Sequence, residues 1–162
     1  MPRVCVDTQL WEYAFTDATE PAYRTLHDES DKWLQALLKD PDTVIVLSVF
    51  HLAEILEVLR TQGVELNRRA QLLTDFLTRN DKYEIVPLET RHVLEAFELG
   101  SRSDIHLWDY LVALPVAPQV STIYSADRHF RHEHFQQRCA VQNPVPWDII
   151  EDYVANIVFE PD

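Results

Sequence analysis

The chain has 162 residues, 46% of them hydrophobic, and its 14 basic and 27 acidic residues give a net charge of −13. This length and apolar content indicate one domain over residues 1–162 and exclude a disordered chain. Charged residues interrupt every long apolar run, the start lacks a signal-peptide pattern, and there are only 2 cysteines. We therefore expect a cytoplasmic protein with no membrane span and no disulfide framework.

The acidity limits the partners that the protein can attract. A field of this sign repels polyanions over about 8 Å at physiological salt. It is typical of a well-solvated acidic surface, as in a salt-rich cytoplasm, and it also agrees with acids gathered around cations. The two interpretations are compatible.

Short apolar runs alternate with amphipathic stretches along the chain, which is typical of parallel strands connected by helices. We predict strands at residues 3–6, 43–47, 83–86, 120–124 and 140–142. We predict helices at 9–15, 49–61, 67–79 and 105–114, and one that follows Thr90 and ends at Gly100. Pro21 suits a helix start, and a helical stripe from Trp33 to Leu38 stops at residues 40–41. A last helix begins at Pro146 and carries Trp147, Ile150, Tyr153, Val154 and Ile157. The expected fold is α/β, a three-layer α/β/α sandwich with a central, mostly parallel sheet and right-handed crossovers.

Polar residues ahead of the helical stripes predict caps. Ser48 is expected to cap the helix at 49–61, and Thr90 the helix that ends at Gly100. Ser103 or Asp104 is expected to cap the helix at 105–114. In the helix at 67–79, the side chains expected to point inward are Ala70, Leu73, Phe76 and Leu77. The four tryptophans lie in apolar stripes and are expected in the core rather than as platforms for RNA bases: Trp11, Trp33, Trp108 and Trp147.

Four acids are expected to meet at one edge of the sheet. Asp7 and Asp127 each follow a buried strand closely, and the ligand site of such a sheet lies beyond the carboxyl ends of its strands. Glu54 lies on the second turn of the helix after the second strand, and Asp109 lies beside an apolar stripe. Carboxylates that converge raise one another's pKa and need a cation. Mg²⁺ or Mn²⁺ takes such oxygen ligands and keeps waters that can attack a phosphodiester.

These residues resemble the PIN-domain nucleases, and especially the VapC-type toxins of bacterial and archaeal toxin–antitoxin pairs. The resemblance runs from residue 4 to about residue 147, nearly the whole chain. The matching segments are 4–8 with Asp7, 48–59 with Glu54, 107–113 with Asp109 and 123–127 with Asp127. Each segment is weak evidence alone, whereas four in this order and at these spacings are fairly specific.

The resemblance implies a function and a set of site residues. The acids would bind one or two Mg²⁺ or Mn²⁺ ions and would be catalytic, activating water to cut RNA; they are Asp7, Glu54, Asp109 and Asp127. Thr8 and Ser125 would orient carboxylates or waters, and Asp104 could serve as a spare acid. An antitoxin would block the site, and the chain would form a homodimer, for which the helices at 49–61 and 67–79 could supply the interface.

The stretch from Arg128 to His134 is rich in histidine and arginine, but its spacings match no common zinc site. It indicates either a solvated loop or a basic rim on which Arg128 and Arg131 contact RNA phosphates. Further arginines that could contact phosphate are Arg68, Arg69 and Arg102.

Other enzyme classes are excluded. With only 2 glycines the chain has no glycine-rich phosphate loop, which excludes P-loop and Rossmann sites. Gln9 stands where a haloacid-dehalogenase-type phosphatase would have a second Asp, and a nucleophile elbow is lacking. The remaining alternative to the nuclease is a PIN fold that binds RNA or a protein without cutting. The acidity slightly favours that alternative, whereas four retained acids favour the enzyme.

Overall fold

The computed structural model describes residues 1–17 and 19–151. The strands are β1 (Arg3–Val6), β2 (Val44–Ser48), β3 (Tyr83–Val86), β4 (Thr122–Tyr124) and β5 (Ala140–Gln142). The helices are α1 (Thr8–Phe15), α2 (Pro21–Lys39), α3 (Val49–Thr61), α4 (Leu66–Thr78), α5 (Thr90–Gly100), α6 (Leu107–Ala113) and α7 (Glu133–Gln136). Short 3₁₀ turns cover Ala117–Gln119 and Arg128–Arg131, and residues 147–151 are helical.

The strands form one parallel sheet in the order β3-β2-β1-β4-β5. The chain begins in the central strand, moves outward to β3, and then returns to the other side of β1. This reversal creates a switch point between β1 and β4, where the crevice of such a sheet opens beyond the strand ends. Val6 is paired with Tyr124 across that point, so that Asp7 and Ser125 leave the sheet side by side.

Each face of the sheet is covered by helices around its own apolar cluster. Side chains alternate along β1, so Val4 and Val6 enter one cluster with α1, α2, α3 and α4,. Cys5 enters the other cluster with α5, α6 and α7. Both cysteines are free thiols. The α/β/α layering and the parallel sheet predicted from the sequence are confirmed.

Two predicted helix starts are wrong. Thr90 does not cap α5, because Glu89 holds the cap position and its backbone N–H donates to His92 Nδ1 at 3.0 Å. α6 begins two residues later than predicted, with His106 at its cap position. The preceding residues turn instead: Ser103 Oγ accepts from the Ile105 N–H. Ser48 does cap α3 as predicted, since its hydroxyl accepts from the His51 N–H at 3.1 Å.

The inward face of α4 is rotated from the predicted one. Leu72 and Phe76 are buried, whereas Ala70 and Leu77 are exposed. Phe76 is inward as predicted, and its ring packs edge-on against Trp11 on one side and Tyr83 on the other.

The tryptophans differ from one another in burial. Trp11 is fully buried, Trp33 and Trp147 are half-buried, and Trp108 is 58% exposed and stacks on Phe50. The core position predicted for Trp108 is therefore wrong. The positions predicted for the end of the last helix lie outside the described residues: Tyr153, Val154 and Ile157. Among the helices that the structure describes, none is long and apolar enough to cross a membrane.

Candidate active site

Asp7 lies directly beyond β1 and is only 5% exposed. Its backbone N–H continues the ladder to the Tyr124 carbonyl at 2.9 Å. Its carboxylate is held on both sides: Oδ1 accepts from the Thr8 N–H and Oδ2 from the Ser125 hydroxyl, each at 2.9 Å. The sheet therefore fixes this acid at the carboxyl ends of its two central strands.

The electrostatics of Asp7 show that the other three predicted acids lie nearby. Burial raises the pKa of Asp7 well above its usual value. The charges of Asp127, Asp109 and Glu54 raise it further, while the hydrogen bond from Ser125 lowers it. The structure thus brings all four acids within electrostatic reach of one another.

Ser125 connects Asp7 to Asp127. Its Oγ, which donates to Asp7, also accepts from the Asp127 N–H at 3.0 Å. Asp127 in turn accepts at Oδ1 from the His129 N–H at 2.9 Å, which starts the 3₁₀ turn at Arg128–Arg131. One hydroxyl therefore sets the spacing between two carboxylates.

Asp109 reaches the site from the first turn of α6. Its Oδ2 lies 3.2 Å from His129 Nδ1, and the same nitrogen lies 3.6 Å from Asp127 Oδ1. One atom from each of these three residues fits within a 4.8 Å group suited to a metal ion. Burial, followed by the charge of Asp127, raises the pKa of Asp109, and His129 and His106 lower it.

Glu54 points into the site from α3. Its Oε2 is buried without a hydrogen-bond partner, and so is Thr8 Oγ1. Burial raises the pKa of Glu54, Asp109 adds to that rise, and the nearby Thr8 hydroxyl lowers it without a hydrogen bond of good geometry.

The donor set fits a hard divalent cation. The metal-sized group holds the two carboxylates of Asp109 and Asp127 and the imidazole of His129, while Asp7 and Glu54 adjoin it. Mg²⁺ or Mn²⁺ accepts these ligand types, with a nitrogen better suited to Mn²⁺ than to Mg²⁺. A bound cation would give the unpartnered Glu54 oxygen a partner and would lower the raised pKa values of Asp7, Glu54 and Asp109,.

His129 is the site residue that sequence reasoning missed. The histidine-rich stretch was tested against zinc spacings and assigned to a loop or a basic rim. The available signal was its position two residues after Asp127, where an Asx-type turn folds the chain back over the preceding carboxylate,.

The remaining predicted residues border an open cleft of about 820 Å³ beside the acids. Asp104 is exposed there, together with Arg102, Arg128 and Arg131. Arg128 pairs with Glu151 at 2.7 Å. Arg68 and Arg69 are used elsewhere and donate to the carbonyls of Phe15 and Val64, respectively.

The chain was compared with known proteins. No family model and no curated protein matches it. Among solved structures, it is similar to Mycobacterium tuberculosis VapC20, described as a sarcin–ricin loop cleaving toxin, with 18% identity, a TM-score of 0.58, and 79% of this chain and 92% of that chain covered. It is also similar to VapBC2 from Rickettsia felis, bound to a DNA fragment from its promoter, with 18% identity, a TM-score of 0.56 and coverage of 87% and 98%.

A third similar structure is FitAB bound to a DNA fragment, with 19% identity, a TM-score of 0.57, and coverage of 87% of this chain and 94% of that one. Sequence identities this low show a shared fold and do not show a shared activity. The chain therefore has the PIN-domain fold of the VapC-type toxins that its sequence resembles.

Proposed function

We propose that this protein is a metal-dependent endoribonuclease, a hydrolase of RNA phosphodiester bonds, and the toxin of a toxin–antitoxin pair. The observation that supports this is the convergence of four acids at the switch point of the sheet, with the Glu54 Oε2 atom buried and unpartnered. Carboxylates held together in this way destabilise a fold unless a cation joins them. A cytoplasmic location follows from the same proposal.

Each site residue has a place in this proposal. Mg²⁺ or Mn²⁺ would be held by Asp7, Glu54, Asp109 and Asp127. When bound, the cation supplies a water of lowered pKa and neutralises charge on the phosphate oxygens. The Ser125 hydroxyl keeps Asp7 and Asp127 in register, and the Thr8 hydroxyl lies beside the Glu54 carboxylate, where it would orient that acid.

RNA fits the proposal in spite of the net charge of −13. Arginines and histidines line the open cleft: Arg102 and Arg128 are each paired with a glutamate, and Arg131, His129 and His132 lie beside them. Such a cleft offsets the repulsion of the acidic surface at the place where a phosphate must approach. The description of VapC20 as an RNA-cleaving toxin supports the same substrate class.

The partners belong to the same proposal. Two of the similar structures are complexes with DNA, VapBC2 and FitAB, which supports a separate antitoxin for this chain. We also propose a homodimer, since α3 and α4 expose apolar side chains at Val49, Leu66 and Leu77.

The test is cleavage of structured and unstructured RNAs with Mn²⁺, with Mg²⁺ or with EDTA, by wild-type protein and by Asp7→Asn. Cleavage that needs the metal and disappears in the variant is the expected result. If the folded protein does not bind metal and does not cut RNA, the proposal is wrong and the alternative, a PIN fold that binds without cutting, takes its place. Cleavage that survives EDTA and the substitution would identify a contaminant.

A further inference from the structure

A second cavity adjoins the acids. It has a volume of about 430 Å³ and is bordered by Ser125 and Asp127 on the site side and by Asn143 and Trp147 farther out. We call it the side cavity. Arg131 lines both the side cavity and the open cleft, so the two spaces share one wall. A volume of this size is in the range of sites for small ligands.

Asn143, which borders the side cavity, has a buried hydrogen-bond donor with no acceptor. The Asn143 Oδ1 atom accepts from the Val145 N–H at 3.0 Å, which fixes the orientation of the amide,. Its Nδ2 atom is buried and has no partner. A buried amide donor without an acceptor destabilises the fold, so this nitrogen is suited to an oxygen supplied by a ligand.

The outer wall of the side cavity is flat and aromatic. The Arg131 guanidinium carbon lies 3.7 Å from the centroid of the Trp147 ring. Aromatic rings and guanidinium planes are the surfaces on which proteins stack unpaired RNA bases. The Gln136 amide also borders the cavity and can both donate and accept,.

We propose that the side cavity binds one unpaired base of the RNA substrate, beside the phosphate held at the acids. The base stacks on the wall formed by Arg131 and Trp147, and its carbonyl oxygen accepts from Asn143 Nδ2. Guanine, cytosine and uracil offer such an oxygen. The ligand class rests on the proposed function, and the binding geometry rests on the cavity itself.

The test is a double-mutant cycle that combines a substitution of Asn143 with removal of one base from the RNA. All proteins carry Asp7→Asn to prevent cleavage, and Mn²⁺ is present. Fluorescence anisotropy gives the Kd of labelled single-stranded RNAs in which each position in turn is abasic. Asn143→Asp keeps the acceptor for the Val145 N–H but loses the donor, and Asn67→Asp adds the same charge on the exposed face of α4.

The expected result is one RNA position at which loss of the base weakens binding about tenfold in the Asp7→Asn protein and in Asn67→Asp. In Asn143→Asp the same loss should weaken binding by a clearly smaller factor, because the hydrogen bond is already gone while stacking on Arg131 and Trp147 remains,.

Equal abasic effects in all three proteins, or no sensitive position, or no RNA binding, would overturn the side-cavity proposal. Its failure is distinguishable from that of the nuclease. Base-dependent binding by a protein that never cuts RNA would keep the side cavity and remove the nuclease, whereas cutting without base-dependent binding would do the reverse.

Discussion

The buried charge at the amino end of the sheet has hydrogen-bond partners, whereas the buried charges at the carboxyl end repel one another. At the amino end, Lys82 is 2% exposed, and its Nζ donates to the carbonyls of Leu37, Asp40 and Thr43 at 2.6, 2.7 and 2.9 Å. At the carboxyl end, four acids meet. Among the described residues, the one basic group within ion-pair distance of any of them is His129.

Burial alone does not explain this difference, because both ends bury ionisable groups. Burial lowers the pKa of Lys82, yet its ammonium keeps three oxygen partners. Burial raises the pKa of Asp7 and its neighbours add to the rise. A fold that satisfies one buried charge completely and leaves others repelling each other indicates that the second group serves a ligand and not the fold.

Removing one of the repelling acids should have the largest effect on activity. We expect Asp7→Asn to lower kcat/KM for RNA by on the order of 10³-fold, because a metal-holding carboxylate is lost. The same change should raise the Tm of the metal-free protein, since a buried charge becomes neutral. Steady-state cleavage and thermal unfolding in EDTA measure the two effects.

The matched control for Asp7→Asn is Asp28→Asn on the exposed face of α2. It should change neither quantity appreciably. If Asp7→Asn destabilised the metal-free protein while Asp28→Asn did not, the carboxylate would be a structural partner, and the contrast between the two ends of the sheet would be lost.

Removing the satisfied charge should affect stability and not chemistry. Lys82→Met leaves three carbonyls without their donor and should lower the free energy of unfolding by roughly 2–4 kcal/mol. Lys39→Met removes an exposed lysine and should cost under about 1 kcal/mol. Urea unfolding measures both variants. A loss of RNA cleavage by folded Lys82→Met at a temperature where it is fully native would contradict the assignment of Lys82 to the fold.

A bound cation should satisfy the acids at the carboxyl end of the sheet, as the three carbonyls satisfy Lys82 at the amino end, and should stabilise the protein. At a free Mn²⁺ concentration of about 100 Kd, binding to the native state adds about 2.7 kcal/mol to the free energy of unfolding. We expect wild-type protein to gain this stability and Asp109→Asn to gain much less, because a ligand is missing. Thermal unfolding against a Mn²⁺ titration measures the gain. An equal gain in both proteins would place the bound metal elsewhere.

The architecture was accessible from the sequence because it depends on local patterns. The apolar runs at 83–86 and 140–142 gave β3 and β5 with the bounds that the structure has. The meeting of the acids followed from the same patterns, since parallel strands bring their carboxyl ends to one edge.

Contacts that depend on distant parts of the chain were not accessible. Lys82 gives no sign in the sequence of the carbonyls it binds, which lie 39 to 45 residues earlier. Trp108 lies in an apolar pattern, but α6 begins later than its pattern suggests and leaves the ring exposed on Phe50. His129 depends on a 3₁₀ turn, for which periodicity gives no signal,.

The smallest expected effect is a pH dependence confined to the carboxyl end. The native pKa values of Asp7, Glu54 and Asp109 are raised above the ordinary 3.8 of Asp and 4.5 of Glu. The native state therefore holds protons that the unfolded chain has released, and stability falls as pH rises from those ordinary values to the raised ones. Urea unfolding in EDTA at about pH 5 and about pH 7 should show that the free energy of unfolding of wild type falls by of order 1 kcal/mol more than that of Asp7→Asn.

Exposed acids paired with arginine, such as Glu57 and Glu89, shift the pH dependence in the opposite direction, but they do so equally in both proteins. A difference that vanishes would show that burial and neighbouring charges do not raise the pKa of Asp7 in solution, and a difference that Mn²⁺ removes would show that the cation offsets both effects.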